Sequence, residues 1–575
     1  MFQQEGKIYP HIMPDLSEWA IYKVSEDRAN FVEEVKAYAT ERIEELHSDE
    51  LPELLSKTAY SELKRTKEEP WKVDPPKERK YWKKLSRRLA NQSLDEKEAS
   101  TAEDAAKELL EEVVDRYARE IVATFKIGTF KFARGFLTLF LGRLLNTADG
   151  RWIQGWFRGW FSKTKNVHKR LLIKGYVDQM RGLCDKGTVI LVPTHFSNLD
   201  SLVIGYAMEQ VAGVPISTYG AGLNLFNTGY TAYFMNRLGV YRIDRRKKNP
   251  IYLNTLKANC VKSILRGVPN LFFPGGTRSR SGAIETKLKL GLVGTAIEAQ
   301  RIHYERGNDQ KIFIVPMILS YPFVLEAKYL IEQHLRIAGK ERYISAKDSF
   351  HSFRAIIKFI WGLFSKGNQL TISLGKPMDV LGNFVDEDGN SYHGDLPIDT
   401  RDYFLAADGQ VSKNLQREQE YTRILGERIL ERFHADNVVL ASHLVSYAAF
   451  LCLERAYPKL DLFGLLRLPA EEFAFNRHTL HAVVGQLQAA LMDMEAQDKI
   501  KLSPEVRKGV SSLIQEGIKS MGNYHIDDPL YYDKKKRVVS KSFKMLYYYH
   551  NRLSSYRLQR FIDWPKNEPV LELAS

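Results

Sequence analysis

The stretch TVILVPTHFSNLDSLVIGYAM, Thr188 to Met208, reads as an apolar strand that stops at a proline and then a helix. His195 falls at the exposed C-terminal end of that strand, and Ser197 or Asn198 can cap the helix. Asp200 then lies in the first helical turn, where its carboxylate can reach back to one imidazole nitrogen. The other nitrogen is left free to take a proton from an alcohol. Spacing alone is thin support. With 14 histidines in the chain, about one such pair arises by chance. His195 is nevertheless the only histidine with an aspartate five residues on.

Outward from this turn, short β-rich runs alternate with helical ones from about residue 170 to 380. TVILVPT, GVYRI, NLFFPGG, IFIVPMILSY and QLTISLG read as strands. DSLVIGYAMEQVAG, NPIYLNTLKANCVKSIL and KLGLVGTAIEAQRI read as helices. Strands separated by helices of this length predict an α/β domain, and ligands bind such sheets at the C-terminal strand edge.

The chain has 575 residues, too many for one core. Three units are expected: a helical N-terminal region (1–168), the α/β domain (169–400) and a helical C-terminal region (401–575). Within the first, RTKEEPWKVDPPKERK (Arg65 to Lys80) reads as a charged loop or linker. Trp152, Trp156 and Trp160 recur every fourth residue among arginines and lysines, as in a helix at an anionic bilayer or one packed on a neighbour. Phe353 to Gly367 carries the same two readings. Three scattered cysteines fit neither a disulfide framework nor a zinc site, and point to a reducing cytosol. No apolar run of eighteen residues is present, and Val438 to Leu453 reads as a buried helix. The net charge of +14 attracts anionic lipid, anionic small molecules or nucleic acid. With no nucleic-acid recognition module in the sequence, the expected partners do not include nucleic acid.

Three further blocks follow the first. In GVYRIDRRKK (Gly239 to Lys248), Arg245 reads as an anion ligand, while Lys247 and Lys248 read as a solvated turn. In LFFPGGTRSRSG (Leu271 to Gly282), Gly276 lets the backbone approach a ligand closely, and Thr277, Arg278 and Ser279 offer donors to a phosphate. The run FIVPMILSYPFVLEA (Phe313 to Ala327) is an apolar strand whose Pro316 either lines an acyl channel or sits in the core.

The order HxSxxD, GxxxIxR, FPxGTRSRSG and IVPM resembles the glycerolipid acyltransferases, and specifically the glycerol-3-phosphate acyltransferase branch. AGLNLF (Ala221 to Phe226), SYPFVLEAKYL, LGKPMDV (Leu374 to Val380) and RILERFHADNVVLASHLVSYAAFLCL strengthen it, over roughly residues 170 to 455. The resemblance implies the fold of that family, a central mixed sheet covered by helices. It also implies acyl transfer from acyl-CoA or acyl-carrier protein, with no metal or cofactor, to the 1-hydroxyl of glycerol 3-phosphate. His195 would be the general base and Asp200 its orienter. Arg245, Gly276, Arg278 and Ser279 match positions that bind the phosphorylated acceptor. Ser197, Thr277, Lys289 and Pro316 complete the candidate substrate-binding set. One departure stands out: family members usually carry Glu where this chain has Gly275. That leaves 1-acylglycerol 3-phosphate and dihydroxyacetone phosphate open as acceptors, and a catalytically degenerate lipid-surface protein as a further reading. The expected location is the cytoplasmic face of a membrane, peripherally bound.

Overall fold

The computed structural model describes residues 7–94, 99–148, 171–226, 229–337, 370–521, 525, 527–565 and 568–574. Its centre is a seven-stranded mixed sheet. The strands are β1 (Leu171–Gly175), β2 (Gly187–Pro193), β3 (Thr218–Gly222), β4 (Val240–Ile243), β5 (Asn270–Leu271), β6 (Lys311–Ser320) and β7 (Leu370–Leu374). They lie in the order β1-β7-β6-β2-β5-β3-β4. From β6 to β4 every neighbour is parallel, whereas β7 runs antiparallel to β6 and carries β1 parallel to itself.

The near-continuous apolar runs of β2 and β6 follow from burial on both faces. Val189 and Leu191 of β2, with Phe313, Val315, Met317 and Leu319 of β6, join one hydrophobic core. Ile190 and Val192, with Ile312, Ile314 and Ile318, join the other. The period-two alternation of strand side chains thus feeds two cores. One is closed by the helices Arg28–His47 and Ala99–Ile121 of the N-terminal region, together with Pro250–Leu265 and Gly294–Glu305. The opposite core is closed by Asp200–Gln210 and by the C-terminal helices Ala441–Ala456, Arg477–Ala496, Val510–Met521 and Phe543–His550. The N-terminal region therefore covers one face of the sheet, joined there by the C-terminal region's helix Leu415–Ala435, while the rest of the C-terminal region covers the other.

The strands and helices named from the sequence all form, and residues 441–453 are buried throughout their helix. Several details differ. Neither Ser197 nor Asn198 caps the helix at Asp200: its N-cap is Leu199, with no side-chain cap. The 65–80 segment is a loop only between helices ending at Glu68 and starting at Glu78, and buried Arg65 fixes it through Glu62, Asp74 and Glu78. Lys247 is no solvated lysine. Its side chain is fully buried and paired with Glu120 at 2.6 Å, while Lys248 is exposed. The C-terminal region also holds a small four-stranded sheet, and its tyrosine-rich end packs as core. The tryptophan helix at 151–165 and the 353–367 segment lie outside the described residues.

Candidate active site

The first three sequence blocks leave the sheet at one edge, because each follows the C-terminal end of a strand in the parallel set, β2, β4 and β5. They meet at a cleft of about 930 Å³ whose walls include His195, Arg245, Gly276, Thr277, Arg278, Arg280 and Lys289.

His195 Nδ1 lies 2.8 Å from Asp200 Oδ2, and its side chain is 14% exposed. Asp200 is fully buried and heavily bonded. Its Oδ2 also accepts the N–H groups of Phe196 at 2.7 Å and Ser197 at 2.9 Å, while Oδ1 accepts the Tyr321 hydroxyl at 2.7 Å. Burial, then the Asp200 charge, push Tyr321 well above the usual phenol range, so it remains a donor. Asp200, accepting from these donors, selects the Nδ1–H tautomer of His195 and leaves the Nε2 lone pair for the cleft. Phe273 packs on the imidazole at 4.2 Å between ring centroids.

The third block is tied to this histidine by its backbone. Ser279 N donates to His195 O at 2.7 Å, and Ser279 Oγ is used on Ala283 O. Gly276 closes a turn onto Phe273 O with φ +69°, in the left-handed region. A Cβ there would meet Lys289 Cδ at 2.6 Å. Arg245 Nη2 donates to Gly276 O at 2.8 Å. Partial desolvation, then the like charges of Arg278 and Arg280, lower the Arg245 pKa. Arg278 is anchored by Glu326 at 3.0 Å.

Other predicted positions serve differently. Ser197 is buried, with Oγ donating to Glu326 at 2.8 Å. Pro316 lies in mid-strand of β6 opposite Val192, inside the sheet rather than on the cleft. Four residues that sequence reasoning missed stand behind the histidine: Tyr321, Glu326, Glu285 and Arg552. Glu285 Oε1 accepts His195 N at 3.1 Å, while Oε2 is sealed from solvent with no hydrogen-bond partner among the described residues. Burial raises its carboxyl to about 7. A Cβ on Gly275 would lie 3.1 Å from Glu285 Oε1. A carboxylate does stand against that turn, but it comes from ten residues on. Arg552, also buried, lies 4.4 Å from the Phe196 ring and bonds Asn437 and the Leu319 carbonyl.

An oriented imidazole beside clustered guanidinium groups, at the C-terminal edge of this sheet, is an arrangement suited to acyl transfer. Residues 165–320 match the family described as Acyltransferase, a span that runs from before β1 to the end of β6. Within that class the chain is similar to glycerol-3-phosphate acyltransferases. It is 27% identical over 213 residues to the enzyme of Pseudomonas entomophila (37% of this chain, 24% of the relative). Against that of Haemophilus ducreyi it is 31% identical over 205 residues (35% and 23%). Against that of Aeromonas hydrophila it is 25% identical over 252 residues (44% and 29%). The matched segment thus spans about a quarter of the length of these relatives.

Proposed function

We propose that this protein transfers a fatty acyl group from a thioester to the 1-hydroxyl of glycerol 3-phosphate, giving 1-acylglycerol 3-phosphate. The reading rests on His195, oriented by Asp200, opening onto a cleft whose cations suit a phosphate. His195 Nε2 takes the hydroxyl proton as the oxygen attacks the thioester carbonyl. The tetrahedral intermediate then collapses, expelling the thiolate, which recovers the proton from the imidazolium. A thioester is already activated, so the acyl group passes directly to the acceptor without an acyl-enzyme. Arg245, Gly276, Thr277 and Arg278, with Lys289, hold the phosphate end and so fix the distance of the hydroxyl from the base. Ser197 and Ser279 support this from behind, through Glu326 and the His195 carbonyl.

The product is amphiphilic, and the charge of +14 favours an anionic membrane surface, so peripheral binding there completes the proposal. Among the described residues no helix is long and apolar enough to cross a membrane. One assay tests the function: purified protein, one acyl donor, and a panel of glycerol 3-phosphate, 1-acylglycerol 3-phosphate and dihydroxyacetone phosphate. Glycerol 3-phosphate should give the highest kcat/KM, and His195→Ala should abolish turnover while the fold and vesicle binding persist. Normal turnover by that variant would remove the general base.

A further inference from the structure

Arg245 faces the cleft from a turn whose other residues are held from behind. In that turn Arg245 is exposed, whereas Asp244 and Lys247 are buried. Arg246 is gripped on three sides. Its Nε donates to Asp244 Oδ1 at 2.9 Å and its Nη1 to the Glu69 carbonyl at 2.6 Å, while its Nη2 reaches Asp74. Asp74 is fixed in turn by Arg65 Nη1 at 3.1 Å and by the Trp71 N–H at 2.7 Å. Lys247 Nζ donates to Glu120 at 2.6 Å, on the Ala99–Ile121 helix. Asn249, the N-cap of the Pro250–Leu265 helix, donates to Glu62 at 3.2 Å and to the Tyr117 hydroxyl at 3.1 Å. All the partners from Glu62 to Glu120 lie in the N-terminal region, ahead of the 165–320 segment that matches the family.

These are not surface ion pairs, which contribute little. The side chains of Arg246 and Asp74 are 9% and 11% exposed, and that of Lys247 is fully buried. Charge-assisted bonds in such surroundings are strong, and they fix the backbone on both sides of Arg245. That matters because an arginine side chain has much rotamer freedom to lose. The like charges of Arg278 and Arg280 also stand against Arg245. On a loose turn its guanidinium would swing toward solvent. On this one its Nη2 donates to Gly276 O at 2.8 Å, and the group stays on the cleft wall.

We infer that the N-terminal region is a working part of the phosphate end of the cleft. Asp74, acting through Arg246, and Glu120, acting through Lys247, are positioning residues that aim Arg245 at the acceptor phosphate. This rests on the acyl-transfer reading and extends its acceptor site to residues outside the matched segment.

The test uses the full chain and two single variants. Asp74→Asn keeps the size of the side chain but removes the charge that holds Arg246. Arg246→Lys keeps the charge but gives up the fork that spans Asp244, Asp74 and the Glu69 carbonyl. Each should raise KM for glycerol 3-phosphate about tenfold, with kcat and KM for the acyl donor near the parent values. A double-mutant cycle separates aiming from general loosening. Added to Arg245→Ala, Asp74→Asn should worsen the acceptor KM little further, because the clamp then has nothing to aim. Full additivity of the two losses overturns the inference, as do parent-like acceptor KM values in both single variants or an equal rise in donor and acceptor KM. Binding of inorganic phosphate, read by calorimetry, needs no turnover and should be about tenfold weaker in Asp74→Asn and Arg246→Lys than in the parent. Should that hold while the parent acylates no glycerol 3-phosphate, the clamp stands and the acyl-transfer reading falls. Equal phosphate affinity in the parent and both variants overturns the clamp.

Discussion

The residues in front of His195 and those behind it carry opposite charge. Facing the cleft are Arg245, Arg280 and Lys289, with Asp244 the sole acid on its walls among the described residues. Behind the loop stand three carboxylates, Asp200, Glu285 and Glu326, each bonded to the His195–Asn198 backbone, and the single buried cation Arg552. Each arrangement alone is costly, since like charges are held close or buried. The difference teaches how the work is divided. Rear carboxylates brace the loop by accepting its backbone N–H groups, while Arg245, Arg280 and Lys289 at the front have no carboxylate partner among the described residues.

Breaking the rear layer at Asp200 should have the largest effect. Asp200→Asn keeps the size of the side chain but can donate where only acceptance is useful, so the imidazole loses its enforced tautomer. A fall in kcat of about 10²–10⁴-fold is expected, with KM little changed, read by single-turnover kinetics. A rate within twofold of the parent would mean that His195 needs no orienter. Arg552→Met comes next, through stability. It strands acceptors on Asn437, Leu319 and Ser320 in the interior, and should cost about 2–4 kcal/mol in urea denaturation. It should also drive the Glu285 carboxyl above about 7, since the Arg552 charge now holds it down.

Glu285→Gln sharpens the contrast through pH. The native carboxyl is raised by burial from 4.5 to about 7. Its contribution to stability is therefore full below about pH 4.5 and is lost as pH rises through about 7. Glutamine keeps an oxygen for the His195 N–H but does not ionise. The stability of the variant relative to the parent should rise by about 1–3 kcal/mol between pH 5 and pH 8. A difference independent of pH would place the Glu285 carboxylate in solvent.

Much of the front wall was legible in the sequence, because its residues sit in short runs directly after strands: His195 after β2, Arg245 after β4, Arg278 after β5. The rear layer was not. Glu326 meets Ser197 across 129 residues, and Arg552 meets Leu319 across 233, with nothing local to mark either partner. Lys247 was misread for the same reason, since its ion pair is with Glu120, 127 residues away on the Ala99–Ile121 helix. Among the strands, β3 was missed because its glycines, Gly220 and Gly222, weaken the strand signal. β1 was missed because its pairing, with β7, comes about 200 residues later. Gly275 shows the limit most clearly. The sequence marks the loss of a carboxylate at that turn, and only the fold brings Glu285 against it.

Glu326 joins the two layers, and its removal should have the smallest effect of the four. The Glu326 carboxylate accepts from Ser197 Oγ and Asn198 N on the loop and from Arg278 Nη1 at the cleft. Glu326→Gln preserves size and one acceptor oxygen, so the loop bonds largely survive and kcat should change less than threefold. Its ion pair with Arg278 does not survive. Arg278 then keeps its charge but loses the bond that holds it toward the acceptor, and charge-assisted bonds are about twice as strong as neutral ones. KM for glycerol 3-phosphate should therefore rise about tenfold, the equivalent of about 1.4 kcal/mol, with KM for the acyl donor unmoved. A lower acceptor KM would reverse the assignment: Glu326 would then be competing with the phosphate for Arg278 rather than aiming the guanidinium at it.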